Sequence, residues 1–101
     1  MANCHVRGAL PDWIGTLTEL RQLDLQRNNF RGTLPATVGN LTNILYLNLK
    51  DNHELHGPLP VLQLARLTKL NRLSLVHCRF NAGEDVVSEL QSRLPRCRVW
   101  V

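Results

Sequence analysis

The sequence predicts an α/β repeat solenoid: a short right-handed coil with a parallel concave sheet of about four strands, short 3-10 or helical convex segments, and one C-terminal helix. Three observations predict it. The first is the stretch Leu20 to Leu41, LRQLDLQRNNFRGTLPATVGNL, whose spacing is LxxLxLxxNxFxGxLPxxVGxL. Its first six residues alternate, Leu23 and Leu25 on one side and Gln22, Asp24 and Gln26 on the other, which is the period of a strand. The second is recurrence. Counting on from Leu20, the same opening returns at Ile44, Leu70 and Leu94, and Leu10-Pro11 and Ile14-Gly15 repeat as Leu34-Pro35 and Val38-Gly39. A unit of this size cannot bury its leucines alone and needs a copy on each side. The third is composition. Hydrophobic residues make up 44% of the chain but aromatics only 5%, so leucine has to fill the core by repetition.

Residues 20 to 44 resemble the plant-specific class of leucine-rich repeat, whose mark is a GxLP half-motif, here Gly32-Thr33-Leu34-Pro35. The resemblance covers nearly the whole chain. It implies a solenoid whose inward strand positions make the core and whose outward ones line a concave sheet used for protein recognition. It implies nothing about the ligand.

The elements follow in order as one domain, 1-101. Residues 1-19 are most of a first repeat without its strand, with Val6, Leu10, Ile14 and Leu17 in the slots of Phe30, Leu34, Val38 and Leu41, covering one end of the core. The second repeat, 20-43, is regular, and its strand from Leu20 to Leu25 leaves an open backbone edge through which self-association is possible. Asn28 sits where the chain turns and its peptide groups need a partner. Asn40-Leu41-Thr42 is a formal glycosylation sequon, and also the ordinary residue choice before a repeat strand. The third repeat, 44-69, is two residues longer. It carries an insertion in the loop His53 to Gly57 and a helix-like run, VLQLARL, after Pro60. His53 and His56 form HxxH on a polar turn without a third ligand, so they are read as solvent-exposed and not as a metal site. In the last unit, 70-101, Val86, Val87, Leu90 and Leu94 recur at helical spacing between Glu84-Asp85 and Pro95. That helix, followed by LPRCRV, resembles the helical repeats of ribonuclease-inhibitor-like or F-box leucine-rich proteins. Counting LPRCRV as another LxxLxL makes Cys97 to Val101 the last strand and puts Cys97 in the inward slot of Leu23, Leu47 and Leu73.

Cys4 and Cys78 fall in the slot of Asn28 and Asn52. Three turns at about 4.8 Å each separate Cys4 from Cys78, beyond the reach of a disulfide, so three free thiols are expected. They favour a reducing, intracellular compartment. The N-terminus has no basic start or apolar run of a secretory signal, and nothing approaches the length of a membrane span.

Function is then sought on the outward strand positions. They read as three columns: Gln22, Tyr46, Arg72, Arg96; Asp24, Asn48, Ser74, Arg98; and Gln26, Lys50, Val76, Trp100. The net charge of +4 lies wholly in residues 66-101, which hold seven basic and three acidic side chains. Tyr46, Lys50, Arg72, Val76, Arg96, Arg98 and Trp100 are therefore the candidate partner-binding residues, arginine beside exposed aromatics being enriched at interface hot spots. The partner expected is a protein with an acidic surface. A nucleic acid or other polyanion on the same patch is the alternative. No catalytic group is expected, because no Ser, His and acid share a column and His77 and Cys78 point opposite ways on a strand-like run. No metal or cofactor is expected either.

Overall fold

The computed structural model describes residues 7–81 and 83–101. Two four-stranded parallel sheets run side by side along the coil, one in the order β2-β4-β6-β8 and the other β1-β3-β5-β7. The concave sheet is built from β2 (Gln22–Asp24), β4 (Tyr46–Asn48), β6 (Arg72–Ser74) and β8 (Arg98–Trp100). Each strand is three residues long. The middle residue points inward, and Leu23, Leu47, Leu73 and Val99 form one continuous register row. Leu47 and Leu73 are fully buried, whereas Leu23 and Val99, at the two ends of the row, are half-buried.

The second sheet is not evident as a sheet from the sequence. It comprises β1 (Arg7–Ala9), β3 (Asn29–Gly32), β5 (Glu54–Pro58) and β7 (Arg79–Asn81). Phe30 and Leu55 are its inward anchors. In sequence three of these segments read as turns because a glycine with positive φ breaks them: Gly8 stands at φ 98° and Gly32 and Gly57 at φ 84°, where other residues are strained.

The convex side is made of two 3-10 segments, Asp12–Thr16 and Ala36–Asn40, each entered from a proline, and of α1 (Val61–Leu64) and α2 (Glu84–Arg93). Proline suits the start of such a turn because its missing N–H would have no partner there. The segments stack closely at Gly15 and Gly39. A Cβ on Gly15 would lie 2.5 Å from the Thr37 carbonyl oxygen, and one on Gly39 would lie 2.9 Å from that of Gln63. The repeated Ile-Gly and Val-Gly pairs therefore mark where neighbouring turns touch backbone to backbone.

Asparagine closes the turn after each of the first two concave strands. Asn52, fully buried, donates from Nδ2 to the carbonyls of Leu49 in its own turn and Leu25 in the preceding one, both at 2.9 Å. Its Oδ1 accepts from the Phe30 N–H at 3.3 Å. Asn28 donates to Leu25 O at 3.0 Å. In the next turn the Cys78 thiol takes over the donor role, bonding Leu49 O at 3.0 Å. Cys78 and Cys97 are both free thiols. Cys4 and Val6 lie outside the described residues.

Two expectations need correction. Leu17 does not close the end of the core: it is 38% exposed, while Leu10 and Ile14 beside it are buried. More consequentially, the fourth strand is shifted by two residues from the sequence frame. Leu73 pairs with Val99, not with Cys97. Cys97 instead repeats the role of Leu20, Ile44 and Leu70, each of which donates its N–H to a leucine three residues earlier, as Cys97 does to Leu94. Leu94 is thus the counterpart of Leu17, Leu41 and Leu67, held at the end of α2. From there to the strand the last turn is one residue shorter than the others, and the apparent LxxLxL in LPRCRV is a coincidence of spacing.

Candidate functional site

The corrected register regroups the outward side chains. Gln22, Tyr46, Arg72 and Arg98 form one row, and Asp24, Asn48, Ser74 and Trp100 the next. Arg72 and Arg98 therefore lie directly opposite each other on neighbouring strands, about 4.8 Å apart in backbone spacing. Both are exposed, and neither has an ion-pair partner among the described residues. Like charges directly opposite in a sheet are destabilising. In the second row Asn48 and Ser74 are buried, so Trp100, 43% exposed, is the accessible member at this end.

Lys50 and Val76 are brought together at the lip beyond the strands, both half-buried. Their carbonyls accept from the N–H groups of Arg27 and Asp51 of the preceding turns at 2.9 Å, continuing the parallel ladder past the sheet. Arg96 is not on this face. It stands in the turn before β8, at the rim of a small pocket of about 220 Å³ with Thr68, Arg93 and Pro95. The displacement follows from the two-residue shift of the last strand.

One constellation escapes the reading of the sequence. Arg27, Asp51 and His77 occupy the same slot of successive turns, one residue before Asn28, Asn52 and Cys78, and all three are left-handed, at φ 56°, 63° and 61°. Stacked there, they interact. Asp51 Oδ1 lies 2.6 Å from His77 Nδ1, and Asp51 Oδ2 lies 3.6 Å from Arg27 Nε. The hydrogen bond to His77 and the charges of His77, Lys50 and Arg27 hold the Asp51 carboxyl below its ordinary value, outweighing partial desolvation. The His53 ring stacks on that of His77, with centroids 6.2 Å apart and planes 20° from parallel. The signal is present in the sequence, since the three positions share the repeat frame, but comparing strand columns alone passes over a slot that lies beyond the strands.

The chemistry of nucleophiles is absent from this constellation's neighbour. Cys78 turns inward to the Leu49 carbonyl while His77 faces solvent, and burial pushes the Cys78 thiol up to about 11. Burial likewise raises Cys97 to about 11. Thiols so placed are not nucleophiles near neutral pH. Among the described residues no three His, Cys, Asp or Glu side chains form a group able to hold a metal ion, and no helix is long and apolar enough to cross a membrane.

Comparison with known proteins agrees with this architecture. Residues 19–41 match the family pattern described as Leucine Rich Repeat. No curated protein sequence matches the chain. Among solved structures, a leucine-rich repeat protein of Leptospira interrogans is similar with a TM-score of 0.76 and 28% identity over 93% of this chain. The Arabidopsis receptor kinase HAESA, solved with the peptide hormone IDA and a co-receptor, is similar with a TM-score of 0.71 and 32% identity over 84% of this chain. Its leucine-rich repeat ectodomain with an N-terminally extended IDA peptide gives 0.68 and 36% over 73%. The chain spans only 22%, 14% and 12% of the chains in those three structures, respectively. By its stacked turns, its paired parallel strands and the repeat at residues 19–41, the chain is a leucine-rich repeat solenoid.

Proposed function

We propose that this chain is a non-catalytic protein-interaction module that binds an acidic partner on the C-terminal part of its concave face. The observation that carries the reading is the row Tyr46, Arg72, Arg98 with Trp100 exposed beside it. Two unpaired guanidinium groups opposite each other repel until an anion lies between them. A carboxylate from a partner fits that gap, and Tyr46 and Trp100 supply flat apolar area on either side. Lys50 and Val76 extend the patch at its lip, while Arg96 stands apart from it. HAESA, similar over most of this chain, was solved with a peptide hormone bound, which supports a protein or peptide ligand. Two free thiols, Cys97 buried and Cys78 half-buried, suit a reducing compartment, and the edge of β2 offers a second place for a chain to pair, including another copy.

The same arginines and aromatics favour one rival, a single-stranded nucleic acid tracking the patch. Salt separates the two. An acidic peptide selected from a random display library should lose only modest affinity between low and high salt, because much of the contact is apolar. Random single-stranded DNA, if it bound, should weaken steeply, and each arginine removed should lower the salt slope by about one. Tight, steeply salt-dependent DNA binding with no peptide selected would replace the proposed reading by its rival.

A further inference from the structure

Leu67 and Leu94 are counterparts in successive turns, and so are Leu70 and Cys97, each of which donates its N–H to the leucine three residues earlier. The residues just ahead of these positions occupy matching slots in every turn. In the first two turns the slots hold Thr16 and Asn40, and Glu19 and Asn43, so the framework does not require cations there. In the last two they hold Arg66 and Arg93, and Lys69 and Arg96, four of the seven cations of the basic C-terminal third. All four are exposed. The notch of about 220 Å³ between these two turns has Thr68, Arg93 and Arg96 at its rim, and buried Leu70, Leu94 and Cys97 at its floor. We propose that this notch binds the phosphoryl group of a phosphorylated serine or threonine on a partner protein.

The donors at the rim are uncommitted. The Arg96 guanidinium and the Thr68 hydroxyl have no hydrogen-bond or ion-pair partner among the described residues. Arg93 is held by Glu89 of the preceding helical turn, whose Oε1 lies 3.2 Å from both its Nε and its Nη2. The other N–H groups of that guanidinium stay open. The turn that carries Arg96 is braced by Gln91, which donates from Nε2 to the carbonyls of Leu94 at 3.1 Å and Cys97 at 2.8 Å. This bracing also matters electrostatically. The carbonyl end of a helix disfavours an anion, and here the Leu94 carbonyl is already taken by Gln91 and by the Cys97 N–H. Lys69 is tied to Asn43 Oδ1 at 3.0 Å, so with Arg66 it adds to the positive field without gripping the ligand.

Four cations against the one carboxylate of Glu89 leave three positive charges on this side of the coil. A partner's carboxylate brings a single charge. A phosphate monoester brings about 1.5 to 2 negative charges and three strong acceptor oxygens, enough for two guanidinium groups and a hydroxyl. Guanidinium also matches phosphate bidentately. The notch has room for roughly seven waters at about 30 Å³ each, which suits one phosphoryl group on a short stem. No aromatic side chain lines it among the described residues, so a nucleotide base has nothing there to stack on. The cation slots run on into the concave row, Arg66, Lys69 and Arg72 in one turn and Arg93, Arg96 and Arg98 in the next. One phosphorylated segment of the acidic partner therefore reaches both. The choice of a protein as carrier rests on the function proposed above, whereas the affinity of the notch for a phosphoryl group does not.

The test titrates the full chain calorimetrically with an end-blocked, otherwise uncharged pentapeptide carrying a central phosphoserine. One phosphopeptide should bind per chain, and the same peptide with serine should not bind. Arg96→Gln should weaken binding about tenfold or more, and Thr68→Val about threefold. Arg31→Gln, which removes an equal charge on the second sheet, should leave it unchanged. An acidic peptide selected on the concave face should bind Arg96→Gln as it binds wild type, which separates a failure of the notch from a failure of that face. The phosphopeptide should also raise Tm with its concentration, since it binds the folded chain. Equal affinity for the serine and phosphoserine peptides would overturn the site, as would full binding by an Arg93→Gln/Arg96→Gln double variant with wild-type circular dichroism. Binding of vesicles that carry a phosphorylated inositol lipid, without binding of the phosphopeptide, would overturn the protein source.

Discussion

Asn52 is where a single side chain does the most to join two turns. It satisfies two carbonyls and one amide, and two of those three partners belong to the preceding turn. Asn52→Leu leaves these buried groups unpaired and should cost about 1–3 kcal/mol, whereas Asn29→Leu, exposed one residue past Asn28, should be nearly neutral. Chemical denaturation of the two variants checks the difference. Asn28 and Asn52 are legible in this slot because the residue type and the spacing agree. Cys78 shares the slot by spacing alone, and the structure shows why cysteine serves: its thiol donates to Leu49 as an asparagine amide would. Asp51 adds a pH dependence of definite sign. Its folded pKa lies below 3.8, so its contribution is complete above the unfolded value and is lost as pH falls through the folded one. Melts taken from pH 6 downward should show an acid limb that Asp51→Asn makes shallower. Identical acid limbs would mean that the carboxylate is not tied to His77 and Arg27.

At the scale of elements, the close approach of successive convex segments gives the sharpest expectation. Gly39→Ala places a methyl 2.9 Å from the Gln63 carbonyl oxygen, and should destabilise by roughly 1–3 kcal/mol through forced separation of the turns. Ala36→Ser, exposed on the same segment, should not, and thermal melts of both compare them. The repeated Val-Gly and Ile-Gly pairs are visible in the sequence as a matched pair of positions one repeat apart. The concave strands are legible too, since Leu23, Leu47 and Leu73 alternate with polar residues at a nearly constant period. Two things are not. The second sheet hides because three of its four strands are interrupted by glycines that sequence alone assigns to turns. The last strand misleads because Leu94, Cys97 and Val99 mimic the leucine spacing of a strand, while α2 and a one-residue shortening reset the frame. Arg98 and Trp100 stay on the concave face under both frames, but Arg96 does not.

At the scale of the whole molecule, stability and the proposed recognition both depend on neighbouring turns staying stacked. Stability in a solenoid is nearly a sum over neighbouring turns. Leu47, 1% exposed, sits in a middle turn, so its loss is felt on both sides. Leu47→Ala should cost about 2–5 kcal/mol and unfold the domain as a unit, with loss of the cooperative melt at temperatures where wild type is folded. The proposed recognition depends on the two C-terminal concave strands and β4 being held in register, since Tyr46, Arg72 and Arg98 become one row only when three turns stack. The measurement that tests this most directly is a titration of a library-selected acidic peptide against wild type, Gln22→Ala and the Arg98→Ala/Trp100→Ala double variant. Wild type and Gln22→Ala should bind alike, and the double variant should lose about 2 kcal/mol of affinity or more. Full binding by a correctly folded double variant would contradict the assignment of the concave face as the binding site.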